Sequence, residues 1–281
     1  MGVQEKLPLH IRATTFQWGR RTYVMGILNV SPDSFAGDGV TNLSTALSVV
    51  RQMVHDGADL IDIGGESTRP GSEPIGADEE TERVVPVIEA IRRELDIPLS
   101  VDTYKHQVAH EALKAGADII NDIWGLKQEP RLANLAAERG AGMILMSNQR
   151  DVSPRHDVVF DDVVKVVTED LQRATGEALE RGIPSTQLIV DPGIGFGKTQ
   201  PQNLELLRRM GELRDLGFPV LVGTSRKSVL GYVLDLPPSE RLEATAATVA
   251  ICVTQGVDIV RVHDVREMRR VCKVADAITR G

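Results

Sequence analysis

The feature that most limits what this chain can fold into is a series of eight short apolar runs, nearly all closed by a polar residue or a glycine turn. They fall at residues 23–29, 60–64, 99–102, 119–122, 143–146, 188–191, 220–223 and 259–263. Between them apolar residues recur every three or four positions, as in Ala46, Leu47, Val50, Met53 and Val54, or Val84, Val87, Ile88 and Ile91, which is the spacing of a helix with one buried face. Strand and helix therefore alternate. A near-repeat marks three helix-to-strand joints, Gly57-Ala58-Asp59-Leu60-Ile61, Gly116-Ala117-Asp118-Ile119-Ile120 and Gly256-Val257-Asp258-Ile259-Val260, each with glycine placed to end a helix in the left-handed conformation.

Strands covered on both faces are nearly continuous in apolar residues, and eight βα units in roughly 250 residues is the size of a closed barrel. The expected fold is α/β, a single (β/α)8 TIM barrel; an open doubly wound sheet is the alternative. The 281 residues are read as one catalytic domain, 23–281, preceded by an appendage, 1–22. In that appendage, alternation from Thr14 to Tyr23 around Trp18-Gly19-Arg20-Arg21 predicts a hairpin closing the barrel bottom, and residues 1–10 are expected to be disordered or tag-like.

Lys and Arg number 32 against 40 Asp and Glu, a net charge of −8, and without a basic stripe the pattern argues against nucleic acid as a partner. Cys252 and Cys272 fall in helical patterns without CxxC spacing and read as buried reduced thiols. With no signal-peptide pattern and no apolar run of about 18 residues, a cytoplasmic protein without membrane partners is expected.

Active sites of such barrels lie where the strands end and the βα loops gather. Here those ends present Asn29, Asp62, Asp102, Asn121, Asp191, Ser225 with Lys227, and Arg261 with His263. Any one Asp or Asn could simply cap the helix that follows; the whole set at one rim is not explained that way. Carboxylates and amides facing one cavity match a flat, amide-rich heterocycle, and Lys, Arg and His suit an anionic arm. Three loops add detail: Asn29-Val30-Ser31-Pro32-Asp33-Ser34-Phe35, Gly64-Gly65-Glu66-Ser67-Thr68-Arg69-Pro70-Gly71 and Gly223-Thr224-Ser225-Arg226-Lys227. The glycines of the second would let it move as a lid delivering Thr68 and Arg69.

The stretch Asp191-Pro192-Gly193-Ile194-Gly195-Phe196-Gly197-Lys198-Thr199 is neither a Walker motif, whose first glycine would fall at Pro192, nor a dinucleotide GxGxxG, whose third glycine comes one position early. Its glycines instead let the backbone pass close to a ring. No HExxH, CxxC or Cys/His cluster is present; His10, His55, His106, His110 and His156 read as surface groups, and only His263 is placed for chemistry.

These three loops, with Asp102, Asn121, Asp191 and the Arg261-Val262-His263 strand, closely resemble the dihydropteroate synthase family from about Tyr23 onward. The resemblance implies condensation of 6-hydroxymethyl-7,8-dihydropterin diphosphate with para-aminobenzoate, assisted by Mg²⁺. It implies pterin contacts from Asp102, Asn121, Asp191 and Lys227, with Met146 and Phe196 as slot walls. It assigns the diphosphate to Asn29, Arg69, Arg261 and His263, with Asn29 acting through the metal. Phe35, Thr68, Arg69, Pro70 and Ser225 would frame the aminobenzoate. Asp102, Asp191, Lys227, Arg261 and His263 form the implied catalytic set, and a homodimer through the later helices is implied as well. One departure is visible: the family usually has Met-His after the fifth strand, where this chain has Met146-Ser147-Asn148-Gln149. The alternatives are a silent pterin-binding paralogue, a pterin-dependent methyltransferase barrel and, last, a metal-dependent hydrolase.

Overall fold

In a computed structural model, residues 6–30, 42–67 and 72–281 are described. The chain begins with a hairpin of β1 (Leu9–Ile11) and β2 (Thr14–Phe16), then runs through β3 (Tyr23–Asn29), α1 (Leu43–His55), β4 (Leu60–Gly64), α2 (Ala77–Glu94), β5 (Leu99–Asp102) and α3 (His106–Ala115). It continues with β6 (Ile119–Asp122), α4 (Arg131–Arg139), β7 (Gly142–Met146), α5 (Val163–Glu180), β8 (Leu188–Asp191), α6 (Gln200–Arg208) and β9 (Leu221–Val222). The last elements are α7 (Ser228–Leu234), α8 (Leu242–Thr254), β10 (Ile259–Val262) and α9 (Val265–Thr279).

Strands β3 to β10 are all parallel, in the order β8-β7-β6-β5-β4-β3-β10-β9. The barrel closes where Val190 of β8 bridges Val220 beside β9, with the Val190 N–H donating to the Pro219 carbonyl at 2.9 Å. The expected barrel is therefore present, with β9 shorter than its apolar run and β10 ending one residue before His263.

Register decides which side chains enter the barrel, because parallel neighbours in a ladder point to the same face and successive residues alternate. One face of the strands (Val24, Ile61, Ile63, Val101, Val190, Val222, Val260 and Val262) packs under the helices in the main core. The other face fills the barrel's lower interior with Met25, Leu60, Ile119, Ile144, Ile189, Leu221 and Ile259, joined from below by Leu9, Ile11, Phe16 and Tyr23.

The hairpin closes the bottom, as expected, but lies earlier in the chain than the sequence pattern placed it. The turn is Arg12-Ala13, with Arg12 in the left-handed region at φ 53°, and Leu9 pairs with Phe16. Residues 9 and 10 are thus strand rather than disordered chain. The Trp18-Gly19-Arg20 turn instead leads into β3, where Trp18 and Tyr23 pack edge to face at 5.6 Å. Ion pairs tie this end down: Arg12 to Asp118 at 2.7 Å, Arg21 to Asp59 at 2.7 Å and Lys6 to Asp258 at 2.5 Å.

Both cysteines are buried and unpaired, and burial pushes their thiols up to about 12, which keeps them protonated and inert. Among the described residues no helix is long and apolar enough to cross a membrane.

Candidate active site

The same inward face that is apolar below becomes polar at its C-terminal end. In the ladders Asp62 stands beside Ser100, Asp102 beside Asn121, and Met146 beside Asp191. Arg261 reaches across the barrel to join the first of these: its Nε donates to Asp62 Oδ2 at 2.6 Å and its Nη2 to Asp102 Oδ2 at 2.8 Å. Asn121 Nδ2 donates to the same Asp62 oxygen at 3.1 Å. Four polar side chains from four strands are thereby locked into one network, in which loss of the guanidinium would leave the buried Asp62 and half-buried Asp102 carboxylates without a counter-charge.

Burial is the main influence on the charges here. It pushes Asp102 up to about 7, opposed by Arg261 and reinforced by the Asp62 carboxylate. Asp191 is raised for the same reason, against the pull of Lys227 and the N–H of Gly193, which donates to Asp191 Oδ1 at 2.7 Å. Lys227 is lowered to about 8 by burial, with Asp191 opposing. Its ammonium donates to the Ile194 carbonyl at 2.6 Å and lies 4.8 Å from the centre of the Phe196 ring.

Phe196, Met146 and Ile123 form a small apolar cluster of their own, flanked by Tyr104 and Trp124. Arg150 stacks its guanidinium 4.4 Å from the centre of the Phe196 ring. The site thus has an apolar wall and a polar edge, the shape that a flat heterocycle fits. Ile123 and Arg150 were not picked out from sequence. Ile123 follows the polar end of β6 directly, a placement that could have flagged it; Arg150 carried no comparable signal.

Ser225 and His263 meet nearby, with Ser225 Oγ and His263 Nδ1 sharing a hydrogen bond of 2.9 Å. This contact holds the imidazole so that Nε2 points elsewhere. Arg226, between Ser225 and Lys227, takes the left-handed region at φ 59° and forks onto Asp264 at 2.6 and 3.1 Å, which anchors the turn to the end of β10. Asn29 is half-buried at the end of β3, in register with Gly64.

The remaining residues assigned from sequence, Phe35, Thr68, Arg69 and Pro70, lie outside the described residues, as does the tip of the proposed lid. The helix-cap explanation does not hold for the rim set: α1, α5 and α6 are capped by Asn42, Asp162 and Thr199, while Asp62 and Asp102 bind Arg261. Asp122, next to Asn121 but outside that set, accepts with its carboxylate from the N–H groups of Trp124 and Leu126 and serves the turn. Ser147, the departure noted in the sequence, is buried, and its hydroxyl donates to Asp170 Oδ2 on α5 at 3.0 Å with Gln149 alongside. Its side chain is engaged behind the slot.

Among the described residues no group of three or more His, Cys, Asp or Glu could hold a metal by itself. Asp62 Oδ1 is buried without a hydrogen-bond partner there, and the Asn29 amide offers a second oxygen. That donor set fits a hard cation taking most of its oxygens from a phosphate ligand and water, as Mg²⁺ commonly does.

Comparison with known proteins agrees with this geometry. The model of the pterin binding enzyme family matches residues 25–263. The dihydropteroate synthase of Bacillus subtilis is 48% identical over 271 residues, covering 96% of this chain and 93% of that protein. A dihydropteroate synthase structure from Clostridium difficile, in the presence of pteroic acid, superposes with a TM-score of 0.89 at 46% identity, over 95% of this chain and 100% of that one. The Yersinia pestis enzyme in a sulfonamide drug complex gives a TM-score of 0.91 at 41% identity, over 97% and 99%. The chain therefore belongs to the pterin-binding enzyme family. Within that family its relatives are the dihydropteroate synthases, which are transferases.

Proposed function

We propose that this protein is a dihydropteroate synthase, joining 6-hydroxymethyl-7,8-dihydropterin diphosphate to para-aminobenzoate and releasing pyrophosphate. The observation that carries this reading is the meeting of Asp102, Asn121, Asp191 and Lys227 around the Met146–Phe196 wall at one mouth of the barrel. Carboxylates accept from the ring's N–H and amino groups, while Asn121 and Lys227 donate to its carbonyl and ring nitrogens.

An aniline nitrogen is already neutral at pH 7, so breaking the C–O bond to the diphosphate is the harder half of the reaction. The electron pair of that bond leaves with pyrophosphate. The aminobenzoate nitrogen forms the new C–N bond at the methylene carbon and gives its proton to solvent. Arg261 and His263 stabilise the leaving oxygens, and the carboxylates of Asp102 and Asp191 stabilise positive charge at the methylene, in an SN1-like path. Mg²⁺, held through Asn29, would supply further neutralisation of the diphosphate. Phe35, Thr68, Arg69, Pro70 and Ser225 frame the aminobenzoate in this reading, with Arg69 also reaching the diphosphate.

We also read the protein as a cytoplasmic homodimer. Its reduced, buried cysteines suit that compartment. Tyr232 and Val233 on α7, Ile251 on α8, and Val274 and Ile278 on α9 leave large apolar side chains exposed, as an interface between copies requires.

Pyrophosphate release tests the activity directly. With dihydropterin diphosphate and Mg²⁺, release that requires para-aminobenzoate and yields dihydropteroate is the expected result. Pterin binding without turnover would favour a silent pterin-binding paralogue instead.

A further inference from the structure

Lys198 has a role that none of the ring or diphosphate contacts explains. Its side chain is fully buried, and its ammonium donates to the carbonyls of Ser147 at 3.0 Å, Gly193 at 3.0 Å and Phe196 at 3.1 Å. No carboxylate among the described residues forms an ion pair with it; burial lowers its amine to about 7, with Asp191 and Asp170 favouring the charge from farther away and Lys227 and Lys127 opposing it. A buried cation is costly unless its hydrogens are all used, and here the three N–H groups meet three backbone acceptors.

Those acceptors belong to two connections, β7 to α5 and β8 to α6. The same two segments are pressed together elsewhere. The Ser147 N–H donates to the Asp191 carbonyl at 2.9 Å and the Gln149 N–H to that of Phe196 at 3.3 Å. A Cβ at Gly193 would lie 2.1 Å from the Ser147 carbonyl oxygen, and one at Gly197 2.1 Å from the Gln149 carbonyl carbon. Met146 precedes the first acceptor, Phe196 supplies the third, and Gly193 also holds the Asp191 carboxylate.

We propose that Lys198 is the positioning residue of the ring slot: its ammonium welds the two connections from behind and sets Phe196 and the Asp191 carboxylate at the spacing from Met146 that a planar ring needs. This rests on the pterin reading of the site. Without the cation, three carbonyl dipoles would point at one another in a sealed space with no donor between them. The connections would part to find other partners, and the wall would move with them.

The test compares the wild-type enzyme with Lys198→Met, which keeps the length and removes the donors, and Lys198→Gln, which keeps two N–H groups without charge. Dihydropterin diphosphate binding is measured by calorimetry with Mg²⁺, and KM for each substrate by turnover. For Lys198→Met, pterin affinity weakens about tenfold or more while the aminobenzoate KM stays within about twofold, the pattern of a displaced wall; Lys198→Gln lies between. Unchanged pterin affinity in Lys198→Met, or an equal shift in both KM values accompanied by a lower Tm, overturns the proposal. If Lys198→Met does not fold, Lys198→Gln decides by the same criteria. A wild-type enzyme that binds no pterin would remove the functional reading itself, and that result needs no variant.

Discussion

Asp102 is held between two opposing influences. Arg261 lies 2.8 Å away, yet burial and the neighbouring Asp62 push its carboxyl up to about 7, so it is neutral below that pH and ionised above it. A ring N–H or amino group is bound by the ionised form. The kcat/KM for dihydropterin diphosphate should therefore fall as the pH drops through about 7, and fall again on the basic side as Lys198, lowered to about 7, and Lys227, lowered to about 8, lose their protons. Asp102→Asn should take Asp102 out of the acid limb, leaving the raised Asp191, and lower the plateau by about 10²-fold, the scale of a lost hydrogen bond to a charged group; pH profiles of both enzymes decide it. Asp102, Asn121, Asp191, Lys227 and Arg261 were legible in the sequence because each lies near or just past the C-terminal end of an otherwise apolar strand. Lys198 was not, because nothing in a sequence distinguishes a lysine that enters the interior from one that points to solvent. Ser147 was visible as a departure, but its bond to Asp170 depends on α5, which packs against it from more than twenty residues away.

At the scale of elements, the strands were readable because each is covered on both faces and so is nearly continuous in apolar residues up to its polar C-terminal end. The hairpin was misplaced for the complementary reason. Three-residue strands such as Leu9–Ile11 and Thr14–Phe16 carry too little alternation to fix a register, and Arg12 adopts a left-handed turn conformation that arginine does not advertise. The β8–α6 connection is set by its glycines. Gly197 sits at φ 70° with the Gln149 carbonyl carbon 2.1 Å from where a Cβ would be. Gly197→Ala should cost about 2 kcal/mol or more in denaturant melts, from left-handed strain and overpacking together, and should weaken pterin binding, since Phe196 is the adjacent residue.

The molecule as a whole divides its labour along the barrel axis, with an apolar plug at the bottom and a charged chamber at the top. Phe16, buried on the hairpin against Trp18 and Tyr23, belongs to the plug. Phe16→Ala should lower stability by about 3–5 kcal/mol while leaving pterin affinity unchanged below the melting temperature, because the bottom face of such barrels serves stability rather than chemistry. Thermal melts paired with calorimetric titration would check both halves.

The barrel is also unequal around its circumference. Seven neighbouring pairs of strands share ladders, whereas β8 and β9 meet at the single Val190–Val220 bridge. Asp191 ends β8, and Lys227 follows β9. A heterocycle gripped by both would span this seam and act as a rung the backbone does not provide, so that the substrate itself completes the circle that its binding site requires.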